Sequence, residues 1–246
     1  MRATVEAVIV AAGFGSRLQP MTPGGEIIKP LTCVGGVPLL KRVLDKCGQA
    51  GLDKVHIVVG HMADELTARI KEWEVQPAVE FIYNPRYELS NGVSLHCGAL
   101  RCSGPFVLLM SDHLFQLQNL TGLLQRGLQG DSAVLAVDSK VQEVFDLADA
   151  TLVLCDGDRV LKIGKHLTDY NSVDTGMFLM SGDVATILAT LIEEKGDASI
   201  SDVMTRFIEE DKMGAFDVGD GVWQDVDDPD MLIQAERLVG DGVFDK

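Results

Sequence analysis

At 246 residues, 46% hydrophobic and 24% charged, the chain has an ordinary globular composition and can bury a sizeable core. Its net charge of −16 argues against a nucleic acid or an acidic membrane surface as partner, since either would demand clustered Lys and Arg. Five cysteines with no Cys-x-x-Cys pair suggest neither a zinc site nor a disulfide framework and fit a reducing cytoplasm, and neither a signal peptide nor a run of about 18 apolar residues for stable membrane insertion is evident.

In chain order, Val8-Ile9-Val10-Ala11-Ala12 reads as a buried strand that breaks at Gly13-Phe14-Gly15-Ser16-Arg17-Leu18. Small residues at such a turn let backbone N–H groups point inward together, which makes a concave anion site. A Walker A loop would require Gly-Lys-Ser/Thr, and a dinucleotide fingerprint a third glycine where Leu18 stands. Arg17, and Lys29 eleven residues after Leu18, supply cations beside the loop, so the stretch reads as a phosphate cradle rather than a bare tight turn.

Pro38 at a first helical position, the apolar spacing Leu39, Leu40, Val43, Leu44 and Cys47, and the stop at Gly51 predict an amphipathic helix. A strand is predicted over 55–59, a helix over 63–73, a strand over 79–83 ended by Asn84-Pro85, a helix over 92–100, and a strand over 106–110. Strands separated by helices imply right-handed crossovers, hence an α/β, Rossmann-like doubly wound sheet that is mixed but mostly parallel. Further on, 151–155 and 159–163 flank Asp156-Gly157-Asp158 as a hairpin. A strand over 173–180, a capping box at Ser199-Ile200-Ser201-Asp202 and a last helix from Pro229 complete the pattern. No repeat or linker is visible, so 1–246 reads as one domain whose later part covers one side of a ligand cleft.

Three constellations could carry chemistry. Asp112, in Ser111-Asp112-His113 at the end of the 106–110 strand, stands where α/β sheets bind ligands and could hold a divalent ion or cap a helix. In Asp225-Val226-Asp227-Asp228, Asp225 and Asp227 share a face if the segment is extended and could share a cation with Asp112, whereas Asp228 suits the cap of the helix at Pro229. In Lys162-Ile163-Gly164-Lys165-His166, lysines three apart on an extended segment face differently, so at most one reaches a given phosphate, and both could simply be solvated.

The ordered set Ala11-Ala12-Gly13-Phe14-Gly15-Ser16-Arg17-Leu18, Lys29-Pro30-Leu31, Gly36-Val37-Pro38-Leu39-Leu40, Ser111-Asp112-His113, Lys165, Val173-Asp174-Thr175-Gly176 and Trp223-Gln224-Asp225-Val226-Asp227 resembles the nucleotidyltransferases that activate sugar and alcohol phosphates. Tyr83-Asn84-Pro85-Arg86-Tyr87-Glu88, Asn91-Gly92-Val93-Ser94-Leu95 and Lys162-Ile163-Gly164-Lys165 make it most similar to the CTP:inositol-1-phosphate cytidylyltransferase branch, with phosphocholine and phosphonate cytidylyltransferases next.

The resemblance implies transfer of CMP from CTP to a small phosphorylated or phosphonate acceptor, with Mg2+ as cofactor. It assigns Ala11, Ala12, Gly13, Phe14, Gly15, Ser16, Arg17 and Ser111 to the nucleotide, and Asn91, Gly92 and Ser94 to the pyrimidine and ribose. Arg17, Lys29 and Lys165 become the charge-neutralising catalytic cations, Lys165, Asp174 and Tyr170 meet the acceptor, and Asp112 with Asp225 or Asp227 holds the metal. The nucleotide-binding part would span about 1–115 and the acceptor-binding part about 116–246, in a protein compatible with a homodimer. Inositol-1-phosphate leads as acceptor because only 6% of residues are aromatic, too few to favour a cage for a quaternary ammonium. Phosphocholine, 2-aminoethylphosphonate and hexose-1-phosphates stand as alternatives, as does UTP. A non-catalytic relative would have lost the carboxylates, and all three are present. Residues 22–28 depart from the spacer such loops usually carry before the lysine.

Overall fold

The computed structural model of the chain describes residues 5–21 and 28–245; the departing spacer, apart from Ile28, lies outside them. In chain order, β1 (Glu6–Ala11) leads past the glycine loop to a small hairpin, β2 (Cys33–Val34) and β3 (Val37–Pro38), and to α1 (Leu39–Gln49). Then come β4 (Lys54–Val59), α2 (Ala63–Lys71), β5 (Ala78–Tyr83), α3 (Asn91–Ala99) and β6 (Phe106–Met110). The second half holds β7 (His113–Phe115), α4 (Leu117–Arg126), β8 (Ala133–Asp138), β9 (Leu152–Asp156), β10 (Arg159–Gly164), β11 (Ser172–Met180), α5 (Asp183–Lys195), α6 (Ile200–Glu209), β12 (Met213–Asp217), β13 (Trp223–Asp225) and α7 (Pro229–Gly240).

Among the described residues, nine strands form one sheet in the order β5-β4-β1-β6-β11-β8-β12-β10-β9. Only β10 and β11 run against the other seven, so the sheet is mixed and mostly parallel. β9 returns to pair with Ser172 and Val173 of β11, which closes β11, β8, β12, β10 and β9 into a ring of pairings.

The side-chain period of two separates the core into two layers. Ala7, Ile9, Ala11, Val107 and Leu109 face Leu40, Val43 and Leu44 of α1, Leu66 of α2 and Leu120 and Leu123 of α4. Val8, Phe106 and Leu108 face Leu95 of α3, Val184 and Leu188 of α5 and Val203 and Phe207 of α6. The sheet is therefore covered on both faces, which is why its central strands read as unbroken apolar runs.

Local signals landed closely. Ser199 and Asp202 form the expected capping box, Asp228 caps α7 by accepting from Met231 N–H, and Gly157 supplies the positive φ of the two-residue β9–β10 turn. Pro38 differs: it is extended, pairs with Cys33 and precedes the first helical residue, because the β2–β3 hairpin claims it.

Candidate active site

β1 and β6 lie side by side with Val10 opposite Met110, so the loop after one opens beside the loop after the other. After β1 the chain turns at Gly15, whose φ is +62° and whose missing Cβ leaves room for Lys29: a Cβ there would lie 2.6 Å from the Lys29 Cβ. Leu18 N–H donates to Gly15 C=O at 3.2 Å and starts a short 3-10 turn, Ser16–Met21, while Lys29 heads another, Lys29–Leu31.

A second device brings in the carboxylates. β7 and β13 form a two-stranded antiparallel ladder with Asp225 opposite His113, and Val226 N–H donates to Asp112 C=O at 3.0 Å. That bond sets Asp227 beside Asp112, and both carboxylates close on the Lys29 ammonium. Asp227 also accepts from Arg17 at 2.6 Å, and the other Asp112 oxygen meets His113 Nδ1 at 2.7 Å. Burial alone would drive Lys29 and His113 towards neutrality, but the facing carboxylates outweigh it and raise both above their ordinary values. Burial likewise works to raise Asp112, yet the Lys29 and His113 charges hold it far below the usual carboxylate range. The cluster is thus a set of formal charges in a partly buried place.

Two cavities meet here. The first, about 270 Å³, is lined by Ala11, Gly13, Gly15, Ser16, Arg17, Lys29, Ser111, Asp112 and Asp227, among others. The second, about 250 Å³, takes in Asn91, His113, Asp149, Lys165, Asp174, Trp223 and Asp225, and shares Met110 and Asp227 with the first. Burial lifts the Asp174 carboxyl to about 6 against the Gly176 N–H it accepts at 2.7 Å. Burial also raises Asp225, and the nearby Asp227 and Asp112 charges reinforce that shift.

The expected residues divide accordingly. Arg17, Lys29 and Asp112 surround one cavity, and Lys165 and Asp174 the adjoining one. Ala12 is buried, its carbonyl accepting from His61 N–H, and Phe14 turns out to an aromatic group with His61 and Tyr87, so neither lines the first cavity. Gly92 and Ser94 line neither cavity and are packed closely by their neighbours. A Cβ on Gly92 would lie 2.5 Å from Ala198 C=O, and the buried Ser94 hydroxyl accepts from Asn84 Nδ2 at 2.9 Å. Asn91 does border the second cavity, with its carbonyl oxygen accepting from Ile200 N–H. Tyr170 and Lys162 line neither cavity.

Of the three acidic candidates, Asp112 and Asp227 converge on one cationic point, while Asp225 lines only the second of these cavities. Two carboxylates plus substrate phosphates is a hard, all-oxygen donor set that fits a divalent ion such as magnesium. Sequence reasoning missed Asp149, which accepts from Arg17 at 2.5 Å and from Lys165 at 2.6 Å; it lies in no motif, and no local signal marks it among 37 acidic residues.

The profile of the MobA-like NTP transferase domain matches residues 7–206. The Bifunctional IPC transferase and DIPP synthase of Thermococcus kodakarensis is 33% identical over 234 residues, which are 95% of this chain and 50% of that protein. The enzyme of the same name from Aquifex aeolicus is 28% identical over 249 residues, 98% of this chain and 55% of its own. The chain thus spans about half the length of the curated relatives it matches. The structure of the inositol-1-phosphate CTP transferase from T. maritima superposes with a TM-score of 0.85 at 24% identity, covering 98% of this chain and 99% of that one, which shows the shared fold. Nucleotidyltransferases of this kind generally use a divalent metal, and no helix among the described residues is long and apolar enough to cross a membrane.

Proposed function

The chain belongs to the MobA-like NTP transferase family, and on that premise we propose that it transfers CMP from CTP to inositol-1-phosphate, releasing pyrophosphate and forming a CDP-alcohol. The observation that carries this reading is the pair of adjoining cavities with a common wall at Asp227, one built from a glycine loop with Arg17 and Lys29, the other from Lys165 and Asp174. The names carried by the relatives and by the structural neighbour support the choice of nucleotide and acceptor.

In the reaction, an oxygen of the acceptor phosphate forms a bond to the α-phosphorus of CTP. The bond from that phosphorus to the bridging oxygen breaks, and pyrophosphate leaves with the electron pair. No covalent residue is required; two anions have to be brought into contact, so the protein's task is positioning and charge neutralisation. The open side of Gly13, where a Cβ would meet nothing within 4 Å, leaves the backbone free to approach phosphate oxygens. Arg17 and Lys29 oppose the triphosphate charge, Lys165 the acceptor phosphate, and Asp174 accepts from a polyol hydroxyl. A magnesium ion held by Asp112 and Asp227 with the triphosphate would supply Lewis-acid neutralisation of charge. The nucleotide cavity is made mainly by residues before about 115, and the acceptor wall by later ones. Five free thiols support a cytoplasmic setting.

The test is a pyrophosphate-release screen that pairs each nucleoside triphosphate with inositol-1-phosphate, phosphocholine, 2-aminoethylphosphonate and several hexose-1-phosphates, with magnesium present. Release with CTP and inositol-1-phosphate is expected. Release only with a different triphosphate or acceptor would replace the substrate assignment, and silence across the screen would overturn the activity.

A further inference from the structure

Asp149 lies in the irregular stretch before β9, yet the two cavities are joined through it. Its Oδ2 accepts from Arg17 Nη1 at 2.5 Å and its Oδ1 from Lys165 Nζ at 2.6 Å. Arg17 belongs to the first cavity and Lys165 to the second. Arg17 continues to Asp227, and Lys29 links Asp227 to Asp112, so an unbroken chain of alternating charge runs from Lys165 to Asp112. Backbone holds the bridge in place, with Asp149 N–H donating to Asp146 Oδ1 at 3.3 Å.

This arrangement has two physical effects. Arg17 and Lys165 are long side chains, each 52% exposed, and would sample many rotamers if left alone. One carboxylate gripping both fixes the separation between them. The same carboxylate also competes with phosphate oxygens for these two cations, in a cavity that already carries Asp146, Asp174, Asp225 and Asp227. A lone anion therefore meets an occupied cation and a negative wall.

We propose that Asp149 is a positioning residue: it sets the spacing of the cation that receives the nucleotide phosphates and the cation that receives the acceptor phosphate, at the expense of affinity for either anion alone. The proposal rests on the cytidylyltransferase reading for its kinetic part and on geometry alone for its binding part.

Asp149→Asn keeps the shape of the side chain and removes its charge. The variant should show kcat for CTP and inositol-1-phosphate reduced about tenfold, because the loosened cations no longer align the reactants. Calorimetry should show it binding inorganic phosphate about threefold tighter than the wild type, a modest change because the groups are partly solvated. Tightening should vanish in the Lys165→Met background, where the released ammonium is missing. Slower turnover with weaker phosphate binding would mark a merely structural role and overturn the proposal, as would kcat within twofold of the wild type. If the wild type transfers no CMP while Asp149→Asn still tightens phosphate in the Lys165-dependent way, the activity reading fails and the competition between carboxylate and anion stands.

Discussion

Replacing Gly15 with alanine separates the loop's role in stability from its role in turnover. Gly15 sits at φ +62°, where an L-residue with a Cβ is strained by about 1 kcal/mol. In a domain of this size that corresponds to a fall in Tm of only about 2–4 °C. The local effect is larger in kind. The new Cβ would start 2.6 Å from the Lys29 Cβ, and ordinary contact begins at 3.4 Å, so the lysine stem or the loop must retreat. Lys29 carries the ammonium on which Asp112 and Asp227 converge, and a misplacement of about 1 Å at such a group can cost about a hundredfold in rate. Thermal unfolding followed by circular dichroism, alongside pyrophosphate release with CTP and inositol-1-phosphate, should show a Gly15→Ala protein that is folded, a few degrees less stable and about a hundredfold slower. Turnover within about threefold of the wild type would refute the reasoning, because it would mean that the loop does not set the position of Lys29.

Other expectations follow from the same geometry. Asp227→Asn should lower turnover about a hundredfold and shift magnesium activation to higher concentration, whereas Asp225→Asn should leave the magnesium curve in place; identical curves for the two variants would return Asp225 to the metal. The Asp174 carboxyl, lifted to about 6 in the fold from an ordinary 3.8, keeps its proton between pH 4 and 6 while the unfolded chain does not, so its contribution to stability is present below about pH 4 and lost as pH rises through about 6. Asp174→Asn should then gain about 3 kcal/mol over the wild type in urea unfolding at pH 8 and nothing at pH 4, and a gain that is flat with pH would refute the burial argument. Gly92→Ala pushes a methyl into Ala198 C=O and should cost about 2 kcal/mol, seen as a lower Tm with the KM for CTP unchanged. A raised KM for CTP at a normal Tm would restore Gly92 to the nucleotide.

Much of the first half is legible in the chain because its determinants are local. Val8 to Val10 running into Gly13 and Gly15 and the apolar spacing of α1 each depend on neighbours within a few residues, as does the box at Ser199 in the second half. The second half hides for the opposite reason. Nothing in 172–180 states that β11 enters between β6 and β8 against their direction, since strand direction is decided by what is left to pair. β7 and β13 are three residues each and meet across more than a hundred positions, so only tertiary closure creates the ladder that brings Asp227 to Asp112. The pairing of Ser94 with Asn84, both buried, is likewise invisible in the chain, because it forms across the turn from β5 into α3. Asp149 is the extreme case, acquiring meaning only when Arg17, 132 positions earlier, and Lys165, 16 positions later, close on it.

The ring of pairings has an engineering corollary. Lys165 follows the end of β10 and Asp149 precedes the start of β9, a hairpin that the ring carries back against β11, whereas Gly13, Lys29 and Asp112 are rooted beside β1 and β6. Exchanging segment 139–170 for that of a relative would therefore replace Lys165 and Asp149 together, and the incoming segment would still have to offer Arg17 a carboxylate. Under the proposed activity, retailoring the acceptor would then be a matter of swapping one rim, with that carboxylate kept, while the hub stays put.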